Sequence, residues 1–267
     1  MKEDSRQSSW ALNDPVKSDE DIDRKFGDIS YSKGGAVIRM MESFLGPATL
    51  AAGLGSYLQD LVSGALRLTL LLLLFVKAYG VATEVDLFAH LEAAGRESGM
   101  WPQPGGPEEL SAAMGSWTNQ AGLPVVTVER AGAELAVSQA WYTNHAPPST
   151  EQQWAIPVTV AELELGSNTD WDDTRPQLWL LQQTATISLN TTGPVVVNKR
   201  VVGYYRVQYS GQLWEELAQQ LLQDHTAIHP LNRSAARQSG GRNAIPRVFL
   251  LQNCGALNCN VQGSDNL

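Results

Sequence analysis

Cysteine is nearly absent: two in 267 residues, Cys254 and Cys259, both close to the end. Two thiols cannot build a disulfide framework or a multi-cysteine zinc module. Histidine is scarce as well, with only His90, His145, His225 and His229. The sequence contains no H-E-x-x-H, no G-x-S-x-G elbow and no Walker loop, which removes the common signatures of zinc peptidases, serine hydrolases and nucleotide-binding enzymes. Positive charge is in deficit. Nineteen Lys and Arg face 28 Asp and Glu, for a formal net charge of −9. Broad nucleic-acid binding needs a basic footprint to neutralise phosphates, so no nucleic-acid partner is expected. A long uninterrupted apolar run is also missing. The nearest approach is Leu66-Arg67-Leu68-Thr69 followed by Leu70 to Leu74, Phe75 and Val76, bracketed by Arg67 and Lys77. A bilayer needs about 20 apolar residues, so this stretch reads as a buried helix or an insertion, and membrane contact through residues 66–82 is not expected. The opening MKEDSRQSSW lacks the apolar stretch of a secretory signal.

What is present suits a folded protein. The chain is 43% hydrophobic and 18% charged, too apolar for disorder. At about 150 residues per domain, its length corresponds to roughly two domains.

Three regions differ in period. Up to about Gln120 the pattern is helical. Val37, Met40, Met41, Phe44 and Leu45 share one face. Gly46-Pro47 ends that helix and starts another, in which Leu50, Leu54, Tyr57, Leu58 and Leu61 are expected to share the buried face. Thr83-x-x-Asp86 reads as a capping box with Asp in place of Glu. Leu110, Ala113, Met114 and Trp117 make a further short stripe. From Leu123 the period becomes that of strands: Val125 to Val128, Leu135 to Val137, Trp154 to Leu163, Leu178 to Leu189, Val195 to Val197 and Val201 to Tyr209. A small β-sandwich is expected there. From Gln212, Leu213, Leu217 and Leu221 restore the helical period. After about Ser239 no period persists, and an irregular tail is expected.

Few residues carry chemistry. His225 and His229 have the spacing of two ligands on one helix turn, but no Glu follows His225 and Pro230 follows His229. Two polar residues at a helix terminus is the simpler reading. Asn190-Thr191-Thr192 and Asn232-Arg233-Ser234 are N-glycosylation triplets, relevant only in a secretory compartment. Asp28-Ile29-Ser30-Tyr31-Ser32-Lys33-Gly34 places a tyrosine at a helix entry, where free N–H groups and positive potential favour an oxyanion. An ordinary helix entry with a partly buried tyrosine explains the same residues.

That segment, DISYSKGGAVIRMMESFLG, resembles the I-x-Y-x-K-G-a-x-V-i-R-M pattern of the zinc aminopeptidases of the aminopeptidase N type. Four further segments fit the family's order, one before it and three after. LNDPVKSDEDIDRKFG is similar to its P-V-x-x-x-x-E-I-x-x-x-F-D lead-in. Ser116 to Val125 resembles W-x-x-Q-x-G-[FY]-P-v, and Val202 to Tyr209 resembles the G-Y-Y-R-V-x-Y strand. The helix around Leu213, Trp214 and Leu217, then Leu231-Asn232-Arg233, resembles the opening of the family's C-terminal helical domain.

The resemblance implies an α+β multidomain fragment. Residues 1–118 would be the helical C-terminal part of a thermolysin-like catalytic domain, with an atypical insertion at about 62–82. Residues 119–209 would be a β-sandwich, 210–238 the start of an α-helical domain, and 239–267 a tail that departs from the family. It implies removal of N-terminal amino acids from peptide substrates with zinc as cofactor, and it assigns Tyr31 the role of oxyanion donor. The family's zinc ligands, general-base Glu and G-x-M-E-N loop have no counterpart in these 267 residues. The chain is therefore expected to be an inactive fragment that holds no zinc stably, and to represent an incomplete or mis-spliced gene model. The alternative is a non-catalytic peptide- or protein-binding scaffold built on the sandwich. A truncated catalytic domain is expected to expose faces such as Met40, Met41 and Phe44, leaving only the sandwich with a complete core. Family members are commonly plasma-membrane or extracellular proteins, and some are cytoplasmic.

Overall fold

The computed structural model describes residues 1–6, 8–66, 83–143, 149–163 and 169–239. The leucine run from Arg67 onward, His145 and both cysteines lie outside the described residues, as does the tail after Ser239. The architecture is α+β.

Helix α1 (Asp19–Lys25) has Ser18 as its N-cap, with acidic residues in its first turn and Arg24 and Lys25 in its last, complementing the helix dipole at both ends. A π-helical turn over Ile29–Lys33 runs directly into α2 (Gly34–Leu45). The predicted face of α2 is buried as expected: Val37, Met40, Met41, Phe44 and Leu45 are all inside. Pro47 opens α3 (Pro47–Leu66). The capping box is fully formed at α4 (Glu84–Ser98): Thr83 Oγ1 accepts from the Asp86 N–H, and the Asp86 carboxylate accepts from the Thr83 N–H. Helix α5 (Leu110–Thr118) buries the whole Leu110, Ala113, Met114 and Trp117 stripe.

The expected face of α3 is corrected. Leu54 and Leu58 are exposed, while Thr49 and Gly53 are buried. The cause is a close helix–helix approach. A Cβ on Gly53 would lie 2.8 Å from Cα of Leu91, so only glycine lets α3 and α4 meet there, and that contact turns Leu54 and Leu58 outward. Helix α3 also continues through residues 62–66, so the proposed insertion begins as a regular extension of this helix.

Among the described residues, eight strands follow. β1 (Leu123–Ala131) is antiparallel to β2 (Glu134–Tyr142) and parallel to β8 (Arg206–Tyr209); β6 (Thr184–Ser188) pairs with β2. The resulting sheet has the order β6-β2-β1-β8. Two antiparallel ribbons accompany it, β3 (Ile156–Val158) with β5 (Leu178–Leu180), and β4 (Val160–Glu162) with β7 (Val195–Val197). The single run expected over Trp154 to Leu163 is thus two strands, each with a different partner. The run expected from Val201 to Tyr209 begins instead as a left-handed turn, with Asn198, Arg200 and Val201 at φ of +66°, +53° and +53°. Helices α6 (Gly211–Gln223) and α7 (Pro230–Ser239) close the described chain.

One hydrophobic core spans the helical and β regions. It includes Met40, Phe44 and Leu91, then Trp117, Val126, Val137, Trp154, Leu180, Val197 and Leu213. Phe44 packs edge-on against Trp179 at 5.1 Å and lies 5.8 Å from Trp101; Trp101 and Trp179 are themselves edge-on at 5.6 Å. The Trp117 indole N–H donates to the Ala155 carbonyl, 3.0 Å away, across the junction of the two regions. Met40, Met41 and Phe44 are therefore not left exposed, and the core is not confined to the strands. Sequence period cannot reveal this, because it identifies an apolar face but not the face that covers it.

Candidate functional site: the Tyr31–Lys33 turn

Residues two apart on a helical turn lie on roughly opposite sides of its axis. Within Tyr31-Ser32-Lys33, if one end points inward, the other points outward. Lys33 points inward, with its side chain fully buried and Nζ 3.1 Å from the Asp4 carboxylate. It also donates to the carbonyls of Gln120 (3.0 Å) and Gly122 (2.9 Å). All three donors of the ammonium are thereby used. Tyr31 points outward, with two-thirds of its surface exposed. It is more open than the partly buried tyrosine of an ordinary helix entry.

Asp4 sits at the centre of the inward group. Its Oδ1 accepts from the Gly122 N–H at 3.0 Å and from the Ser9 hydroxyl. Its Oδ2 accepts from the Tyr204 hydroxyl at 3.2 Å, in addition to its contact with Lys33. Burial lowers the pKa of Lys33, and the Asp4 carboxylate acts against that shift. Burial raises the pKa of Tyr204, with the Asp4 charge adding to it, so Tyr204 is a neutral donor.

Gly122 is fixed for two reasons. Its φ is +83°, and a Cβ there would lie 2.2 Å from the Trp141 indole nitrogen. Any other residue would strain the backbone and displace a tryptophan. Gln120 adds a second tie, its Nε2 donating to the carbonyls of Ser116 and Gln153, each at 2.9 Å.

Three segments singled out in the sequence therefore meet at one point: Y-x-K-G through Lys33, W-x-x-Q-x-G through Gln120 and Gly122, and G-Y-Y-R through Tyr204. Sequence reasoning missed Asp4. It lies in a polar stretch with no period, and its partner Gly122 is 118 residues away. The available signal was a lysine opening an apolar helix, which calls for a buried acid.

The three described histidines do not assemble. His90 Nδ1 is 2.9 Å from the Ser56 hydroxyl, and its Nε2 is 3.6 Å from Asp60. The His229 ring lies 5.7 Å from that of Trp171, tilted by 40°, and burial lowers its pKa, with Arg200 acting in the same direction. His225 opens a short 3-10 turn between α6 and α7. Among the described residues no group of three or more His, Cys, Asp or Glu is arranged to hold a metal ion. They do not fit a zinc site, which needs three or four protein ligands around the ion. Nor is any helix among them long and apolar enough to cross a membrane. Of the two glycosylation triplets, Asn190 is exposed and Asn232 is buried.

Residues 1–92 match the Peptidase family M1 domain, a span that contains Asp4, Tyr31 and Lys33. The chain is similar to aminopeptidase N of Plutella xylostella, with 30% identity over 82% of this chain and 22% of that protein. It is similar to human aminopeptidase N, with 30% identity over 88% of this chain and 22% of that protein. Membrane alanyl aminopeptidase of Heliothis virescens is 28% identical over 86% of this chain and 22% of that protein. The chain belongs to the aminopeptidase N-like family of M1 metallopeptidases. It spans about a fifth of the length of these relatives.

Proposed function

We propose that this chain is the portion of a zinc-dependent aminopeptidase that carries the oxyanion-stabilising tyrosine, and that alone it does not hydrolyse peptides. The observation that carries this reading is the arrangement at the Tyr31–Lys33 turn. Lys33 locks the turn into the protein through Asp4 and two carbonyls, and Tyr31 is presented outward. A phenol is a neutral donor at pH 7, and a donor held in place before the reaction stabilises developing negative charge without reorganising. The substrate class is peptides with a free N-terminus, as in the family.

In this reading residues 1–118 are the end of the catalytic domain. Residues 119–209 form the β-sandwich, 210–238 begin a helical domain, and 239–267 are a divergent tail. The 267 residues contain no H-E-x-x-H, and in this reading the chain carries no stoichiometric zinc.

A second reading, a non-catalytic peptide- or protein-binding scaffold, is favoured by the continuous core. The described chain buries Met40, Met41 and Phe44 within itself, so it has the means to fold alone. The two readings agree on inactivity and differ in binding.

The test takes the purified chain through metal analysis, turnover of an aminoacyl chromogenic amide with and without chelator, and titration with unlabelled peptides. The fragment reading expects no zinc, no turnover and no saturable peptide binding. Saturable binding without turnover favours the scaffold, and chelator-sensitive turnover contradicts both.

A further inference from the structure

Asn190 and Asn232 head the same kind of triplet but occupy opposite environments. Asn190 lies in the exposed turn between β6 and β7. Its N–H donates to Glu162 Oε2 at 2.8 Å, and its Nδ2 lies 3.3 Å from Glu162 Oε1 at the surface. Arg130 holds the turn by its backbone, donating to the carbonyls of Gly193 (2.5 Å) and Thr191 (3.4 Å). The side chains of Asn190 and Thr192 both remain exposed.

Asn232 is only 6% exposed. Its Nδ2 donates to the Asn198 carbonyl and its Oδ1 accepts from the Arg200 N–H, each at 2.8 Å. These bonds close the left-handed turn in which Arg200 and Val201 adopt positive φ. That conformation is unusual for any side chain and an outlier for a β-branched one. Arg39 of α2 braces the same turn, donating to the carbonyls of Arg200 (3.1 Å) and Val201 (3.5 Å). The turn thus joins α2, the strands and α7, and the Asn232 amide is its pin.

We propose that Asn190 is an N-glycan acceptor when this chain meets the oligosaccharide-transfer machinery, and that Asn232 is not, because a glycan on its amide is incompatible with the pinned turn. The donor is a lipid diphosphate-linked oligosaccharide. A bond forms between Asn190 Nδ2 and the sugar C1, the bond from C1 to the phosphate oxygen breaks, and the lipid diphosphate leaves as the amide loses one proton. At Asn232 a glycan would occupy buried space beside the bond to Asn198. A chain modified there could not close the turn.

The test expresses the full chain behind a cleavable leader in a secretory host and recovers the protease-resistant fraction from lumen and medium. Its mass is measured before and after peptide N-glycosidase. Thr192→Ala and Ser234→Ala each abolish one triplet through an exposed third residue and leave both asparagines intact. The expected results are one glycan on the wild type, none on Thr192→Ala and one on Ser234→Ala. Two glycans or none on the wild type, or loss of a glycan in Ser234→Ala, overturns the proposal. Hydrogen exchange on unmodified bacterial protein checks the pin separately. Slow exchange of the Arg200 N–H supports it, and exchange as fast as in an open loop overturns it.

Discussion

The Lys33 ammonium and the Asp4 carboxylate form a buried ion pair 3.1 Å apart, and it is the only contact of either charge with an opposite charge among the described ion pairs. Breaking such a pair from one side leaves an uncompensated buried charge, which costs about 3–5 kcal/mol. Lys33→Met and Asp4→Asn are therefore each expected to destabilise the chain by about that much. The double variant should cost clearly less than the sum, since neither charge is then stranded. Urea unfolding of all four proteins checks this. Additive losses would mean that the pair is not coupled.

The aromatic contacts of Phe44 with Trp101 and Trp179 predict that the helical and β regions unfold together. Phe44→Ala is expected to cost about 3–5 kcal/mol, the usual range for a large core aromatic. It should lower the helical and the β signals at the same denaturant concentration. Far-ultraviolet circular dichroism and tryptophan fluorescence followed in one titration make the comparison. Two separated transitions would show that the core is not shared.

A third expectation concerns acid. Arg175 holds the Asp173 carboxylate in a two-point contact, with both N–O distances at 2.8 Å. The side-chain hydrogen bond from Arg175 is the main reason that the pKa of Asp173 falls from 3.8 to about 2. A carboxyl depressed in the folded state stabilises it above the unfolded pKa, and that contribution is lost as pH falls from 3.8 toward about 2. The Arg175 side chain is two-thirds exposed and that of Asp173 about one-third, so solvent screening keeps the effect small. Thermal midpoints of the wild type and Asp173→Asn should differ near neutral pH and converge across that window. A gap that stays constant would contradict the assignment.

The sequence made these relationships legible unequally. The α2 face, the α5 stripe and the Thr83–Asp86 box were readable because each depends on spacing within one element. The outward turn of Leu54 and Leu58 was not, because the contact between Gly53 and Leu91 decides which side of α3 is covered. Tyr31 and Lys33 could be singled out from their motif, but not Asp4, whose role arises only when distant segments meet. The left-handed turn at Asn198 to Val201 had no signal either. Arg200 and Val201 are held at positive φ by Asn232 and Arg39, not by their own preference.

The Tyr31–Lys33 turn is anchored on one side and free on the other, and paired thermal melts of Tyr31→Phe and Lys33→Met test this most directly. Tyr31→Phe removes an exposed hydroxyl and is expected to change stability by less than about 0.5 kcal/mol, as at ordinary surface positions. Lys33→Met is expected to cost about 3–5 kcal/mol. Comparable losses in both variants, or no loss in Lys33→Met, would contradict the account.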